Sequence, residues 1–541
     1  MWNTLSKGWA SDNMGYYKDL REYIRVLEEK GKLQRINREI NKDTELMPLV
    51  RWQFRGGIPD GERKAFLFEN VTDVKGKKYH GQVLVACHAG SRDIYALAMN
   101  TTPQDIAKKW QDAQLHPVKP KMVASGPCQE EVHLGDNLLE HRGLEEFPIP
   151  ISTPGFDNAP YFSAGNYITK DPETGIRNVG NHRTMIKSPL RTGIDAPLPQ
   201  HIRQHWHKYK QRGVPMPVVV AIAPTPNVGL VAVTKIPYGL DELAVAGGIA
   251  GEPIELVKCK TVDLEVPATA EIVIEGEIPT DYLEREGPFG EFTGYMGMGG
   301  PEPYVNVKCI THRKQPIWNA YISQFPPSES SLMTQIGKEA TDYNLLKHDL
   351  GIDNVVEVAY HPESGGRMLC VIQLKNCTTS QAWQALYGVC AASALYAKIA
   401  IAVDDDIDPR DMDSVSWALC YRMQPHRDLQ VAQGKTASLD PSALPPDEKG
   451  NLFALPPTTS LLIDATRKWG YPPTSLPRRE FMENALELWQ ELGLPPLKPK
   501  VPWFGSSLGF WPEEIAEEAE LALKGEHYKT GEKLAKNRIK V

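Results

Sequence analysis

Hydrophobic positions repeat with two different periods along this chain, and the changes of period divide it. Over residues 18–31, Leu20, Ile24 and Leu27 recur at helical spacing, and Gly31 stands where a helix would stop. Short apolar runs at 65–68 and 83–87 predict strands. Thr102-Pro103, followed by Ile106 and Trp110 on one face, predicts another helix. Residues 1–120 therefore read as an α/β unit, followed by a Pro-rich linker at 116–126. From 128 onward strands dominate. Runs at 218–223 and 229–236 flank a Pro-Asn turn, and 270–278 and 304–311 alternate as half-buried strands do. Two helices interrupt this section, at 199–212 and 240–249. Short strands broken by Gly and Pro predict a barrel or sandwich. The α/β pattern returns at 330, with an Ala-rich helix at 380–398 leading into a buried-type strand at 399–403. Beyond 439 the chain is Pro-rich and irregular. It ends in a helix at 512–524 and a basic tail (Lys529, Lys533, Lys536, Arg538, Lys540) that reads as solvated and mobile.

Composition narrows the class without changing this division. At 541 residues the chain is long enough for two to four domains of about 150 residues each. Its 41% hydrophobic and 24% charged residues describe an ordinary globular protein with ample core. A net charge of -8 gives no support for nucleic acid as a partner. No apolar run is long enough to span a bilayer, and residues 1–9 carry no signal-peptide core, so no membrane partner is expected. The eight cysteines include no CxxC pair and mostly sit in apolar runs. They predict free thiols in a reducing, cytoplasmic setting.

Candidate chemistry centres on residues 284–300, E-R-E-G-P-F-G-E-F-T-G-Y-M-G-M-G-G. Pro288 and six glycines forbid a regular helix, and Gly lets backbone approach a ligand closely. Glu286 and Glu291 sit at the two ends of a tight E-G-P-F-G-E loop that could turn both toward one point. Carboxylates held together in a dry cleft suit general acid–base work, while a solvated acidic turn is the plain alternative. Four further clusters stand out: N-V-G-N-H-R at 178–183, Gln200-His201 opening a helix, Glu242, and Lys398 before a buried strand. Arg183 offers a permanent forked cation for a carboxylate or other anion. Amide, imidazole and carboxylate donors suit Mn²⁺, or Mg²⁺ sharing phosphate oxygens, rather than structural zinc. His201, His205 and His207 do not form a triplet, because on a helix only the first two share a face.

Over essentially its whole length the chain resembles the UbiD family of reversible decarboxylases. The resemblance rests on N-V-G-N-H-R-T-M, P-Q-H-I, E-L-V-K-C (255–259), V-P-A-T-A-E-I-V-I-E-G (266–276), E-G-P-F-G-E-F-T-G-Y (286–295) and D-D-D-I-D-P (404–409). It implies a mixed α/β (α+β) fold. A split β-barrel cofactor domain at 121–330 would lie between an N-terminal α/β domain at 1–120 and a C-terminal α/β oligomerisation domain at 331–541 with a terminal helix.

The resemblance also implies roles. Arg183, Glu286 and Glu291 match the catalytic set, with Glu291 as proton donor. Asn178, His201 and Glu242 match ligands of a divalent ion, usually Mn²⁺, that anchors the phosphate of prenylated FMN. Gln200 and Lys398 match cofactor contacts. A K⁺ site would use Glu242 and carbonyls near Val231, Ala232 and Thr234, although Ala-Val-Thr at 232–234 replaces the Ser-Ser-Met of some members. The modified flavin serves as electron sink for loss of CO₂ from an aromatic or α,β-unsaturated acid or an aryl-CoA thioester such as phthaloyl-CoA. The basic tail, with Lys498 and Lys500, would suit the phosphates of such a thioester. A homo-oligomer (dimer or hexamer) and a flavin prenyltransferase as cofactor supplier are further expectations. A non-catalytic flavin-binding or assembly subunit and a metal-dependent hydrolase built on His201 and Glu242 are the alternatives.

Overall fold

Only His182 and Arg183 separate the strands Arg177–Asn181 and Thr184–Ser188, yet these strands do not pair with each other. In the computed structural model of the chain, which describes residues 15–196, 200–236, 238–435, 439–443 and 458–539, they lie near opposite ends of one strand path. That path runs Arg177–Asn181, Gly165–Lys170, Met216–Ile222, Ile272–Ile278, Tyr304–His312, Arg191–Gly193, Thr184–Ser188, Tyr161–Phe162. Three chain steps span at most about 10 Å, so the path must curl until its ends nearly meet. The result is a split barrel with an open seam at His182 and Arg183. Glu131–Leu134 adds a ninth strand against the far half of Tyr304–His312. This is the mixed α/β fold with a split barrel that the resemblance implies.

Two α/β units flank the barrel. In the first, Leu33–Ile36, Ala65–Phe68 and Gln82–Val85 are joined by Ile317–Ala320, a strand that returns from beyond the barrel to pair parallel with Gln82–Val85. The helix Leu20–Glu29 buries Leu20, Tyr23, Ile24 and Leu27, as its periodicity predicts, and Asp19 caps it by accepting the Glu22 N–H at 2.8 Å. Such a cap contributes about 1 kcal/mol. From the same helix Arg21 forks onto barrel residue Glu271 through two bonds of 2.8 Å, fastening this unit to the barrel.

The second unit is a five-stranded sheet in the order Val355–Tyr360, Leu369–Leu374, Ile399–Asp404, Thr458–Asp464, Leu429–Lys435. Here the acidic run 404–409 has a structural use. Asp404 and Asp406 hold the buried guanidinium of Arg422 at 2.7–2.8 Å.

Three expected elements differ. Residues 229–236 fold not as a strand but as most of the helix Pro226–Val233. Pro226 suits a first turn, and a helix buried on nearly every side shows the same unbroken apolar run as a buried strand. The helix expected at 380–398 stops at Ala391. The Lys435 ammonium there collects the carbonyls of Cys390, Ser393 and Tyr396, and Ala397 turns to a φ of 55°. The basic tail is not loose: Lys529, Lys533 and Lys536 lie in the helix His527–Lys536, where Lys533 pairs with Glu514 and Glu518. Residues 1–9, Pro199, Pro237 and Lys540 lie outside the described residues. No helix among the described residues is long and apolar enough to cross a membrane, and none of their cysteines is in a disulfide.

Candidate active site

The seam of the barrel opens on a cavity of about 230 Å³. Asn178, Arg183, Gln200, His201, Glu242 and Glu291 all line it, although they come from four separate stretches of chain. Asn178 stands on the last strand before the seam, and Arg183 stands in the seam itself. Gln200 is the residue preceding the helix His201–Gln211, and Glu242 is the first residue of the helix Glu242–Ala250.

The Gly-rich stretch folds back on itself twice. Glu284–Arg285 pairs with Pro301–Glu302, and inside that ladder Phe289–Gly290 pairs with Met296–Gly297. The Glu286 N–H donates to the Gly300 carbonyl at 2.7 Å, and the Glu291 N–H to Tyr295 at 2.9 Å. Gly299 has a φ of +69°, and a Cβ there would lie 2.0 Å from the Glu286 carbonyl oxygen, so only glycine fits. Phe289 packs on Tyr161 with ring centroids 4.7 Å apart, giving the loop an apolar floor. Glu286 and Glu291 are thus turned toward one point.

That point is Arg183. Its Nη2 donates to Glu286 Oε2 at 3.0 Å, its Nη1 contacts Glu291 Oε1, and its Nε lies 3.6 Å from Asp195. Burial works against the cation, but Asp195 and Glu286 outweigh it and hold its pKa above the ordinary value. Burial pushes Glu286 up to about 7 despite Arg183 beside it. Its second oxygen, Oε1, is buried without a hydrogen-bond partner. A cation between two desolvated carboxylates, one of them poised near neutrality, can orient an anionic substrate and hold a transferable proton.

A second group of donors on the cavity wall could hold a cation. His201 Nδ1 lies 3.2 Å from Asn178 Oδ1, and Glu242 Oε2 accepts the Val179 N–H at 3.0 Å. Burial pushes Glu242 up to about 8, although a helix N-terminus ordinarily favours the anion. Burial also lowers His201, keeping its imidazole neutral and available as a ligand. The C-terminal end of the helix Pro226–Val233 lines the same region, where last-turn carbonyls lack intrahelical donors. Amide, imidazole, carboxylate and carbonyl donors together match a hard or borderline divalent ion.

Sequence models of 3-octaprenyl-4-hydroxybenzoate carboxy-lyase match the N-terminal domain at residues 24–114, the Rift-related domain at 121–326 and the C-terminal domain at 331–465. An uncharacterised protein of Aquifex aeolicus is 31% identical over 511 residues, which is 89% of this chain and 100% of that one. This chain belongs to the UbiD family. Membership makes it a carboxy-lyase of the class that works with prenylated FMN.

Solved UbiD-class structures agree. HmfF of Pelotomaculum thermopropionicum, in complex with FMN, is 32% identical, covering 83% of this chain and 94% of that one at a TM-score of 0.72. The vanillic acid decarboxylase of Sedimentibacter hydroxybenzoicus is 28% identical, covering 88% and 100% at a TM-score of 0.74. The 3,4-dihydroxybenzoic acid decarboxylase of Klebsiella pneumoniae is 28% identical, covering 84% and 95% at a TM-score of 0.72. The cavity fits the UbiD cofactor in kind: Lys235 on the same wall does not offset the burial of Glu242, and beside that carboxylate stand neutral donors that an ion shared with a flavin phosphate would use.

Of the residues named from sequence, two do not line the cavity: Glu286 is fully buried behind Arg183, and Lys398 stands away from it. Lys398 is 44% exposed at the side chain, and its Nζ bonds Asp440 and Ser442 instead. His205 is turned inward to Thr169, 2.9 Å away, and away from the ligand cluster. Asp195, Arg367 and Tyr396 also line the cavity and carried no sequence signal. Asp195 is isolated among apolar neighbours in the chain, and only the fold sets it beside Arg183.

Proposed function

We propose that this protein catalyses reversible, non-oxidative decarboxylation of an aromatic or α,β-unsaturated free carboxylic acid, with Arg183, Glu286 and Glu291 as its acid–base set. The observation that carries the reading is the Arg183 guanidinium bound between two buried carboxylates on a cavity wall. Prenylated FMN, when bound, supplies the electron sink for the carbanionic charge left by CO₂. Arg183 orients the substrate carboxylate by charge-assisted bonds. Glu291, at the cavity surface, delivers the proton that replaces CO₂, and Glu286 behind it tunes the charge on Arg183. A non-catalytic flavin-binding subunit would need no such acid pair.

Asn178, His201 and Glu242 would hold a divalent ion such as Mn²⁺ against the flavin phosphate, and Gln200 would contact the cofactor. A monovalent ion, K⁺, would sit between Glu242 and the carbonyls at the end of the helix Pro226–Val233. Because carbonyls make that site, the Ala-Val-Thr at 232–234 is compatible with it. A flavin prenyltransferase is the implied supplier of the cofactor.

A free acid is favoured over a CoA thioester because three of the cations expected to meet CoA phosphates are already paired with carboxylates. Lys500 pairs with Asp411 and Asp413, Lys529 with Glu526 at 2.8 Å, and Lys533 with Glu514 and Glu518. The arm beyond 465 favours self-association. Its helices Arg479–Glu491, Glu513–Leu523 and His527–Lys536 have no buried residue, and Leu488, Leu523 and Leu534 are exposed along them. A second copy of the chain would cover that apolar surface.

The test is CO₂ release from a panel of free aromatic acids and their CoA esters by protein loaded with prenylated FMN. Turnover of a free acid, lost in Arg183→Ala, is expected. Turnover confined to CoA esters would overturn the substrate class, and an active Arg183→Ala would overturn the site.

A further inference from the structure

Among the described residues, two clusters outside the cavity bring together side chains that ligate metals: Cys87, His88 and Glu329, where the carboxylate is already taken up by backbone N–H donors, and a second on the barrel's outer end. Strand Glu131–Leu134 carries His133, the following turn carries His141, the short helix Gly143–Glu146 ends in Glu146, and the barrel strand Tyr304–His312 ends in His312. Ligand atoms of His133, His141 and Glu146 all lie within 4.8 Å of one another. His133 Nδ1 stands 3.2 Å from Glu146 Oε2, and His312 Nε2 stands 3.6 Å from Glu146 Oε1. His133 and His312 are 4% and 5% exposed.

None of these approaches is a hydrogen bond. His133 Nδ1, Glu146 Oε2 and His312 Nε2 are each buried and without a partner. A buried polar atom left unpaired costs about 1–3 kcal/mol, so three in one small volume call for an occupant. The chemistry of the three says which kind. His312 Nδ1 lies 2.8 Å from the Arg313 carbonyl, so Nδ1 donates there and Nε2 is turned toward Glu146. That nitrogen and Glu146 Oε1 then face each other at 3.6 Å with no hydrogen bond between them, a gap that a bound ion would fill. A carbonyl orienting the far nitrogen is also the usual outer support of a metal-bound imidazole. The 3.2 Å between His133 and Glu146 matches the edge of a zinc tetrahedron, about 3.3 Å for bonds of about 2.0 Å. His141 is exposed on the rim and stacks over His133 with centroids 3.8 Å apart, so it can turn about its Cβ to complete the shell.

We propose that His133, His141, Glu146 and His312 form a second metal site that takes one borderline divalent transition ion, Zn²⁺, and fastens the turn at 135–146 to the end of the barrel. Three imidazoles and one carboxylate are a nitrogen-rich set, softer than the cavity's oxygen-rich set, so the two sites sort different ions. The proposal does not depend on the reaction assigned to the cavity.

The test is zinc binding by the full-length chain in a His201→Ala background, which removes a ligand of the cavity ion. Affinity is read by competition with a chromophoric chelator, and stoichiometry by elemental analysis. Expected is one Zn²⁺ per chain, bound at least tenfold more weakly in both His141→Ala and Glu146→Gln. His141 lies on the rim, so its variant folds whether or not the proposal holds, and Zn²⁺ should raise Tm in the parent and not in that variant. No zinc in the parent, or less than a tenfold loss in either variant, overturns the site.

Discussion

Arg183 and Glu286 stand 103 residues apart in the chain and 3.0 Å apart across the wall of the cavity. Neither is free to rotate away, because Glu286 hangs from the doubly folded Gly-rich loop and Arg183 also reaches Glu291 and Asp195. The pair therefore presents a fixed charge pattern before any substrate arrives, and pre-set charge is the largest lever an enzyme has.

Glu291→Gln keeps the shape of the proposed proton donor and removes its acidity. Turnover should fall by at least about a hundredfold while prenylated FMN stays bound. Substantial turnover at full cofactor occupancy, measured by absorbance and CO₂ release on one preparation, would remove Glu291 from that role.

Glu286 makes stability depend on pH. Its pKa in the folded chain is about 7 against an ordinary 4.5, so the proton on it favours the fold. That contribution is complete below the unfolded value and is lost as pH rises through about 7. Tm should therefore fall from about pH 5 to about pH 8 more steeply in the parent than in Glu286→Gln, which is neutral throughout. Parallel Tm curves would show that Glu286 ionises normally.

His201→Ala should purify with much less flavin than the parent if the proposed ion ties the flavin phosphate to the protein. Equal flavin content in the two preparations, with either metal content, would separate the phosphate from the ion.

Gly299→Ala places a methyl 2.0 Å from the Glu286 carbonyl oxygen in a left-handed backbone. The loop must open, at a cost of about 1–3 kcal/mol, carrying Glu286 away from Arg183. Activity should drop at least about tenfold with the overall fold intact by circular dichroism, since a small misplacement of acid–base groups is costly. Unchanged activity would mean that the loop tolerates another path.

Truncation after Lys524 should leave KM for a free aromatic acid unchanged, because Lys529 and Lys533 are already neutralised by Glu526, Glu514 and Glu518. A large rise in KM for an acyl-CoA substrate alone would restore the thioester reading.

The sequence carried the local chemistry better than the assembly. Glu286 and Glu291 were legible because glycine and proline exclude regular structure between them, whereas Asn178, His201 and Glu242 offered fitting donor types but were grouped only by the family resemblance. Asp195 was invisible, since its meaning comes only from Arg183 across a strand pair. Lys398 shows a limit of position alone: a lysine before a buried strand says nothing about which side its long stem will take, and here its Nζ turns to Asp440. The helix Pro226–Val233 defeated periodicity because burial all round erases the amphipathic signal. The basic tail was misjudged because its acidic partners at 514 and 518 lie one helix earlier.

The unpaired seam has a consequence in time as well as in space. Strands Arg177–Asn181 and Thr184–Ser188 are made together by the chain but reach their places only when the intervening strands have joined. Contacts between distant parts of a chain form late, because loop closure must come first. In refolding, secondary structure should therefore recover before any capacity to bind flavin. A chain arrested before closure would look largely folded by circular dichroism and yet hold no cofactor, so cofactor uptake is this molecule's own signal that its barrel has shut.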